Sequence, residues 1–450
     1  MSEAPAEALG ADIGIGADVL EESNNSYLET VSELGNTEDI TASQDIYSNK
    51  GVLLLTKGSR IDRKTYSTLV KHRLKDTVDN SLAMEGALSN NQLYIDIKTQ
   101  LETYPPLVQL AQAIPNRTNL QQCLQHIFLN DKLRNKVTIA KKAHPGLYTH
   151  SLRVSIGAAI MGFSLGLSRD DCDCLATAGL IHDLGHMHMD SSILQSNQLL
   201  LPKQKQIIYA HPVIMYMLLK DSDAYHPKVS MPVLEHHERN WGTGYPRGIS
   251  TYHSKLSAVL AMTEIIASMS EKHSISRVFT VLRSHDNTFD KDLISAIVRT
   301  SKYMARSIPD AKIELELSTE YLTLINSILS EWNACYQQLK GEFEDHPLLQ
   351  RINVWINSIR QAIIRCGIDL TADQPLALFS DDPLALQEIH YHLDELLHTL
   401  GEILDSLDRE QIKNPHSIAN SNHSLATWID RLQDGVRQYK STVGLSLQET

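Results

Sequence analysis

The chain has 450 residues, of which 42% are hydrophobic and 21% are charged, values typical of a globular protein large enough for two or three domains. Its net charge of −13 argues against non-specific binding of DNA or RNA, which requires a basic surface, and we expect neither as a partner. No segment approaches the roughly 18 uncharged apolar residues of a membrane span, and the N-terminus lacks the pattern of a secretory signal.

Cysteine usage bears on the cellular compartment. The five cysteines are few, odd in number and scattered, which suits a reducing cytoplasm better than a disulfide framework. They are Cys123, Cys172, Cys174, Cys335 and Cys366. We therefore expect a cytoplasmic protein.

The first 80 residues divide into two segments. Residues 1–40 contain ten Asp or Glu residues and no Lys or Arg, a composition that predicts a flexible acidic tail, although Val19–Leu20 and Tyr27–Leu34 could form a nascent helix. Residues 46–47 and 51–55 are apolar stretches on either side of a polar turn, and residues 61–74 have helical spacing. These patterns predict a small αβ subdomain over residues 41–80.

Residues 92–305 form the next predicted domain, which is mainly helical. Apolar residues recur at three- and four-residue spacing in the segments 107–113, 120–128, 148–165 and 171–182. Asp170 and Asp171 are expected to cap the last of these helices, and Gly185 is expected to end it in the left-handed conformation. Residues 240–248, which include three glycines and a proline, predict an ordered loop.

Residues 306–450 predict a C-terminal helical bundle. Four helices are expected, over residues 318–340, 347–366, 382–407 and 422–441. The linkers between them favour antiparallel packing, and no chemical motif occurs in this part of the sequence. The bundle could form a homodimer, regulate the rest of the chain or extend its core.

Seven side chains able to bind a metal ion lie in the middle of the chain, within about 115 residues. They are His150, His182, Asp183, His211, His236, His237 and Glu264. A divalent metal binds neutral imidazole nitrogens and carboxylate oxygens, and two neighbouring metals need about this many ligands. A single histidine among the 20 in the chain is more often structural than a ligand, so it is the joint pattern that indicates a metal-dependent hydrolase.

The same residues lie in short motifs that resemble those of a known family. The motifs are His150-Ser-Leu-Arg153, Gly179-Leu-Ile-His-Asp-Leu-Gly185, His211-Pro212, His236-His-Glu238 and Gly242-Thr-Gly-Tyr-Pro-Arg-Gly248. In this order and spacing they resemble the HD-GYP subgroup of the HD-domain metal-dependent phosphohydrolases. The resemblance covers roughly residues 145–300 and, more loosely, residues 45–78, and it makes the expected fold a mainly α HD-domain bundle.

The resemblance implies a site with two or three metals, usually iron or manganese, that hydrolyses cyclic di-GMP. The seven side chains named above would be the ligands, and Asp183 would bridge two metals because a carboxylate offers one oxygen to each. Asp183 and His182 would act in catalysis through a metal-activated hydroxide that attacks phosphorus. Gly244, Tyr245 and Pro246 would form a wall of the substrate pocket, although a purely structural turn is the alternative for this loop.

Four positions depart from the family pattern. His186 takes the place of a lysine near the substrate phosphate, where we expect it to act with His182 and Asp183. Glu264 stands where an aspartate is usual, and Gly146 stands where three-metal members have a glutamate, which favours two metals. The basic stretch that the family has after the helix of Glu264 is absent here. Lys272 and Arg277 are therefore the candidate replacements for its phosphate-binding cations.

These departures leave three functions open. The leading hypothesis is a bacterial phosphodiesterase that hydrolyses cyclic di-GMP or a related cyclic dinucleotide. The alternatives are a catalytically weak or silent receptor for such a nucleotide, and a phosphohydrolase of another nucleotide. The expected partners are the cyclic dinucleotide itself, a signalling protein bound at the Gly-Tyr-Pro loop and a second copy of the chain.

Overall fold

The computed structural model describes residues 17–112, 114, 116–189, 202–220, 224–240, 242–273, 275–284, 292–295, 315–413 and 417–446. They belong to two compact units. The first comprises Met1–Glu238, Tyr245–Arg247 and Tyr252–Lys272, and the second comprises Arg239–Gly244, Gly248–Thr251 and His273–Thr450. Both are mainly helical, as the sequence predicts. The domain limits expected from the sequence stay predictions.

The first unit begins with helix α1, Ala17–Leu34. Tyr27, Leu28 and Val31 are each no more than 1% exposed, because this helix packs against several elements that follow it in the chain. The sequence suggests a nascent helix over Tyr27–Leu34 within a flexible tail, and the structure has a helix there that begins at Ala17. The flexible tail stays a prediction for residues 1–16, which lie outside the described residues. A few apolar residues at helical spacing are sufficient to bury one face of the helix.

The small αβ part has the two short strands and the helix that the sequence predicts. Strands β1 (Ile40–Ala42) and β4 (Leu82–Met84) pair antiparallel, as do β2 (Ile46–Tyr47) and β3 (Leu53–Leu55). Helix α2 (Arg63–Leu69) lies between β3 and β4 in the chain. The side chain of Asp62 accepts hydrogen bonds from the amides of Lys64 and Thr65, which explains why the helix begins there.

The helices that follow build the core of the first unit. They are α3 (Asn90–Thr103), α4 (Pro105–Gln112), α5 (Arg117–Gln125), α6 (Asp131–Ala143), α7 (Pro145–Ser164), α8 (Arg169–Ile181), α9 (Pro202–Lys220), α10 (Pro227–Glu235) and α11 (Lys255–Ser270). Helices α7 and α8 pack most extensively; α11 lies against α7, and α10 lies against α8. A side chain on Gly179 would come within 2.8 Å of the Cα of Ser155, so this glycine permits the close approach of α7 and α8.

Two local expectations for α8 are wrong. The helix is capped by Ser168, whose hydroxyl accepts a hydrogen bond from the amide of Asp171, so the two aspartates lie in the first turn. Gly185 does not end the helix in a left-handed conformation, because a 3-10 helix over Leu184–His188 continues the chain. Its lack of a side chain instead allows the backbone of His211 to come close, since an added Cβ would lie 2.3 Å from the carbonyl oxygen of His211.

A buried polar cluster of four residues, here the Lys136 cluster, connects this 3-10 helix to earlier parts of the chain. Its members are Tyr27, Asp79, Lys136 and His188. The Lys136 ammonium lies 2.6 Å from Oδ1 of Asp79, 2.7 Å from Nε2 of His188 and 3.8 Å from the centre of the Tyr27 ring. The side chains of Lys136 and Asp79 are 1% and 6% exposed, so the charges are almost wholly removed from water.

The second unit contains the helical bundle expected at the C-terminus. Its described helices are α12 (Ile275–Ser284), α13 (Leu315–Phe343), α14 (Pro347–Arg365), α15 (Pro383–Lys413), α16 (Ile418–Ser421) and α17 (His423–Ser446). The four long helices α13, α14, α15 and α17 correspond to the four predicted. They share one apolar core, in which Trp332, Trp355 and Trp428 are at most 2% exposed.

In neither unit do the described residues include a helix with the length and apolar character that crossing a membrane would require.

Candidate metal centre

The seven candidate ligands come from five helices of the first unit and the turns that follow them. His150 lies on α7, His182 and Asp183 follow the end of α8, and His211 lies on α9. His236 and His237 follow the end of α10, and Glu264 lies on α11. The fold brings all seven together in two groups, Asp183 with His211, His236 and His237, and Asp183 with His150, His182 and Glu264. Asp183 is the one residue that belongs to both groups.

The two oxygens of Asp183 face different groups. Its Oδ1 lies 3.1 Å from Nε2 of His211 and 3.4 Å from Nε2 of His236. Its Oδ2 lies 3.4 Å from Nε2 of His182 and 3.8 Å from Nε2 of His150. A carboxylate placed in this way can offer one oxygen to each of two cations.

Glu264 completes the second group. Its Oε2 lies 2.9 Å from Nε2 of His150 and 3.0 Å from Nε2 of His182. Its other oxygen, Oε1, accepts a hydrogen bond of 2.6 Å from the hydroxyl of Ser268. The extra methylene of glutamate, relative to aspartate, therefore does not prevent its carboxylate from facing the two histidines.

Three of the histidines are held in one tautomer by the backbone. In each ring Nδ1 lies 2.7 to 2.8 Å from the carbonyl oxygen three residues earlier. The pairs are His182 with Gly179, His211 with Ile208 and His236 with Val233. Because a carbonyl oxygen can only accept, Nδ1 carries the hydrogen, and in the neutral ring Nε2 presents its lone pair to the centre.

The lone pairs at the centre face each other at short range. Nε2 of His211 and Nε2 of His236 are 3.1 Å apart, and both lie near the same oxygen of Asp183. Electron pairs at this separation repel unless a positive charge lies between them. Neutral imidazoles and carboxylates are also the donor set that divalent transition metals prefer, so these residues fit a bound metal.

The two groups differ in electrostatics. Burial is the largest influence on His211, His236 and His237, and it lowers the pKa of each, so these rings are neutral and ready to coordinate. Burial also opposes protonation of His182 and His150, but the nearby carboxylates outweigh it and raise their pKa to about 9 and about 11. Metal binding at the second group would therefore release protons.

The same interactions stabilise the charged form of both carboxylates. Burial acts to raise the pKa of Asp183 and of Glu264. The neighbouring histidines act more strongly and hold the pKa of each well below its usual range. Both side chains therefore stay anionic at neutral pH, as metal ligands must be.

His186 lies inside the site as a neutral ring. It stacks on His211 with ring centres 3.8 Å apart, and its Nε2 is 3.6 Å from Oδ1 of Asp183. Burial, with a smaller contribution from His211, lowers its pKa to about 3. It therefore does not supply the positive charge that a lysine would carry at this position.

Two further residues of α11 and its C-terminal end orient the ligands, and the sequence motifs did not single them out. Ser268 binds Glu264 as described above. Glu271 lies 3.5 Å from Nδ1 of His150 through its Oε1, so this carboxylate is placed to direct the other ring nitrogen towards the centre. Both follow Glu264 at helical spacing, by four and seven residues, and that spacing was the available signal.

The Gly-Tyr-Pro loop contributes an aromatic ring to the site. Tyr245 stacks on His237 with ring centres 4.5 Å apart, and its amide donates to the carbonyl oxygen of His237 at 3.1 Å. The peptide bond between Tyr245 and Pro246 is cis. Gly242 has a φ of 72°, a conformation that glycine adopts without strain.

Two buried carboxylates bind Arg247, the residue after Pro246 in the loop. The amide of Arg247 donates to Oε1 of Glu238 at 2.8 Å, and its guanidinium pairs with Glu235. In the second unit, the guanidinium of Arg409 donates to the carbonyl oxygen of Gly244 at 2.8 Å. Each half of the loop is thus fixed by specific hydrogen bonds.

The second ligand group opens onto a cleft. The cleft is lined by Pro145, Gly146, Leu147, Thr149, His150, Arg153, Asp183, Glu264, Ser268 and Glu271. A side chain at Gly146 would meet nothing within 4 Å, so the space beside His150 is open.

The two predicted phosphate-binding cations are not among these lining residues. The Lys272 side chain is exposed, and the Arg277 guanidinium lies 2.6 Å from Oδ2 of Asp394 and above the ring of Tyr391. Their role in substrate binding stays a prediction.

Comparison with known proteins agrees with this geometry. The HD domain family model matches residues 147–265. The cyclic di-GMP phosphodiesterase PdeB of Borreliella burgdorferi is 26% identical over 157 residues, which is 33% of this chain and 41% of the relative. The cyclic di-GMP phosphodiesterase response regulator RpfG of Xanthomonas campestris is 33% identical over 98 residues, or 22% of this chain and 26% of the relative.

A third relative is the 3'3'-cGAMP-specific phosphodiesterase 3 of Vibrio cholerae, which is 25% identical over 189 residues, 40% of this chain and 41% of the relative. The chain thus spans about two fifths or less of the length of these curated relatives. Among solved structures, Bd1817, a HDG"Y"P protein from Bdellovibrio bacteriovorus, is similar with a TM-score of 0.33 and 15% identity over 61% of this chain and 97% of that one.

The family match begins three residues before His150 and ends one residue after Glu264, so it encloses every candidate ligand. Residues 147–265 therefore match the HD domain family, and the motifs from His150 to Gly248, with these phosphodiesterase relatives, support the HD-GYP family for this segment.

Proposed function

We propose that this protein is a metal-dependent phosphodiesterase that hydrolyses cyclic di-GMP or a related cyclic dinucleotide. The observation that carries the proposal is the pair of ligand groups that share Asp183. Two cations held by one carboxylate are suited to phosphodiester hydrolysis, since the attacking and leaving oxygens can both be stabilised. The substrate class is suggested by the relatives, which are named as phosphodiesterases of cyclic di-GMP and of 3'3'-cGAMP.

We further propose two divalent ions, iron or manganese, with one in each ligand group. When bound, they would activate a water molecule near neutral pH and neutralise charge on the phosphoryl oxygens. The number two is supported by Gly146, which offers no additional ligand beside His150. Asp183 would contribute to both ions, and His150, His182 and Glu264 would hold the ion of the second group.

The residues around this centre would bind and orient the nucleotide. The Tyr245 ring, whose centre lies 4.5 Å from that of His237 and 4.4 Å from that of Tyr209, would form a wall next to one ligand group, and Gly244 and Pro246 flank it in the chain. The open cleft beside His150 would admit the substrate from the side of the other group. His186, which stacks on His211 and lies 3.6 Å from Asp183, would help to hold these two ligands in place.

The test is a turnover assay on purified full-length protein loaded with Mn²⁺ or Fe²⁺. We expect linearisation of cyclic di-GMP or of 3'3'-cGAMP, with loss of at least about a thousandfold in kcat for Asp183→Asn because both ligand groups are affected. Asp173→Asn is the matched control, since this carboxylate on α8 pairs with Arg169 and belongs to neither ligand group. Metal-loaded protein that turns over neither nucleotide, or an active Asp183→Asn variant, contradicts the proposal.

One observation favours a second candidate, a receptor that binds the nucleotide with slow or no turnover. At the position of the family's lysine the chain has His186, whose ring is packed against His211 and carries no charge towards the substrate. Equilibrium binding measured beside turnover separates the two functions, because a receptor binds tightly and hydrolyses little. Turnover of a different nucleotide alone would indicate the third function, a phosphohydrolase of that nucleotide.

We propose the cytoplasm as the place of this activity. All five cysteines are free, and burial raises the pKa of several, including Cys172 to about 12, which agrees with a reducing compartment. A homodimer and a signalling partner at the Gly-Tyr-Pro loop stay predictions.

A further inference from the structure

We propose that Arg153 binds a phosphate group of the substrate; this inference rests on the proposed function and adds a specific contact to it. Arg153 follows His150 by three residues on α7, so the two side chains lie on the same face of the helix. Both line the open cleft, together with Asp183 and Glu264 of the second ligand group. A phosphodiester held at that group would therefore lie next to the guanidinium.

The guanidinium is fixed before any ligand arrives. Its Nε donates to Oε1 of Gln100 at 3.2 Å, and its Nη1 donates to Oε1 of Glu271 at 3.0 Å. One face lies 3.9 Å from the centre of the Tyr104 ring, whose hydroxyl donates to the carbonyl oxygen of Ser270 at 2.9 Å. A group held in this way loses little conformational entropy when it binds a ligand.

The fixed guanidinium keeps donors for a ligand. An arginine has five N–H groups, and the described part of the chain uses two of them, one on Nε and one on Nη1. The side chain is 21% exposed, so the remaining donors can reach the cleft. Arg153 is also the only Lys or Arg among the described residues that line the cleft.

Glu271 is shared between Arg153 and His150. The oxygen that accepts from Arg153 also faces Nδ1 of His150, so a single carboxylate serves both the guanidinium and a candidate metal ligand. The planar fork of an arginine matches the oxygens of a phosphate. Arg153 would thus present a guanidinium to a phosphate held at the second ligand group.

The experiment compares Arg153→Ala and Arg153→Lys with the unmodified full-length protein, each loaded with Mn²⁺ and supplied with cyclic di-GMP. We expect Arg153→Ala to raise KM about 10- to 100-fold, the effect of losing one charge-assisted contact, while the metal content per chain stays unchanged. Arg153→Lys should recover part of this loss, because an ammonium keeps the charge without the fork. Arg169→Ala, which removes an arginine paired with Asp173 outside the cleft, is the control and should leave KM within about twofold.

A purely structural role for Arg153 gives a different result. If the residue only holds Glu271 and through it His150, Arg153→Ala and Glu271→Gln will both lower metal content and kcat, with KM unaltered, and the inference is overturned. Inorganic phosphate provides a test that does not depend on turnover. Calorimetry of the Mn²⁺-loaded protein should show phosphate binding that weakens at least about tenfold in Arg153→Ala.

The two proposals can fail separately. A protein that binds phosphate through Arg153 and hydrolyses no cyclic dinucleotide contradicts the proposed function and supports this inference. Phosphate affinity that is equal in the unmodified protein and in Arg153→Ala, or absent from both, overturns the inference whether or not turnover occurs.

Discussion

Glu264 shows how one side chain on α11 is directed by its neighbours. Its Oε1 is occupied by the hydroxyl of Ser268 at 2.6 Å, which leaves Oε2 facing His150 and His182. A hydrogen bond of this kind selects the carboxylate rotamer that can coordinate. Ser268 is therefore a positioning residue for the second ligand group.

Removing that hydroxyl should weaken metal binding. For Ser268→Ala we expect affinity for Mn²⁺ to fall about tenfold, because a partner that orients a ligand contributes roughly 10- to 100-fold. Titration in a metal buffer measures this change. Ser67→Ala, which removes an exposed serine hydroxyl bonded to the carbonyl oxygen of Lys64, is the control. Equal affinities in the two variants would show that Glu264 needs no such support.

Gly185 is constrained by space. An added Cβ would lie 2.3 Å from the carbonyl oxygen of His211. This oxygen belongs to the backbone, so it cannot move aside as the end of a flexible side chain can. Gly185→Ala should therefore push α9 away from the turn that carries Asp183. We expect a loss of about 1–3 kcal/mol in the free energy of unfolding, with weaker metal binding.

Chemical denaturation and metal analysis test this expectation. The control is Gly341→Ala on α13, where an added Cβ meets nothing within 4 Å and alanine should stabilise the helix by up to about 1 kcal/mol. A Gly185→Ala protein as stable and as well loaded as the unmodified one would show that α9 can move without consequence.

The identity of the candidate ligands could be predicted from the sequence. Metal ions bind only a few types of side chain, and the order of these side chains can be read along the chain. The sequence accordingly predicts a cluster of seven residues, and the structure places those seven together. The contribution of Glu271 depends on how α7 and α11 pack, and no local pattern encodes that distance. His186 was predicted beside the centre, but its stacking on His211 also depends on packing.

At the scale of secondary-structure elements, the Lys136 cluster joins four segments that are distant in the sequence. Tyr27 belongs to α1, Lys136 to α6 and His188 to the 3-10 helix that follows Asp183. Asp79 neutralises the ammonium at 2.6 Å. The cluster therefore attaches the 3-10 helix that follows Asp183 to helix α1.

Breaking this buried ion pair should strongly destabilise the first unit. Lys136→Met leaves Asp79 buried without its cation, and we expect a loss of about 3–5 kcal/mol in the free energy of unfolding. Urea denaturation measures it. Lys132→Met, which removes an exposed lysine one turn earlier on the same helix, should change stability by at most about 0.5 kcal/mol.

The double variant Lys136→Met with Asp79→Leu separates the causes of that loss. It removes both charges and should regain most of the stability, because the desolvation of the charges is removed with them. A double variant no better than Lys136→Met would indicate that the lost packing, and not the unpaired carboxylate, causes the destabilisation.

Elements with a strong apolar period were predicted well. The four long helices of the second unit lie within a few residues of their predicted limits, as with α14, predicted over 347–366 and observed at Pro347–Arg365. Helix α1 was predicted only as a nascent helix over Tyr27–Leu34, because acids dominate the composition of this segment, although Tyr27 and Val31 are fully buried. The terminus of α8 was misjudged at Gly185, since a glycine that stops a helix and one that admits a neighbouring backbone look the same in sequence.

At the scale of the molecule, the two compact units carry different features. All seven candidate ligands belong to the first unit, whereas Trp332, Trp355 and Trp428 lie in the core of the second. A ligand that binds only the folded form stabilises the unit that holds it. Metal removal should therefore act on one unit and tryptophan fluorescence should report mainly on the other.

We expect a chelator to lower the melting temperature of the first unit, whose unfolding is followed by circular dichroism. The transition followed by tryptophan emission should keep its midpoint, because the core around these rings contains no candidate ligand. Parallel melts with and without EDTA provide the measurement. A single transition that shifts equally by both probes would show that the two units unfold together.

The composition of the two ligand groups has a consequence for which ions they select. One group offers three imidazoles and one carboxylate, and the other offers two imidazoles and two carboxylates. Nitrogen-rich surroundings favour ions late in the Irving–Williams series, and oxygen-rich surroundings favour harder ions such as manganese. If each group held one ion, the two groups would prefer different metals, and a cell containing both kinds of ion would give a centre with two different metals.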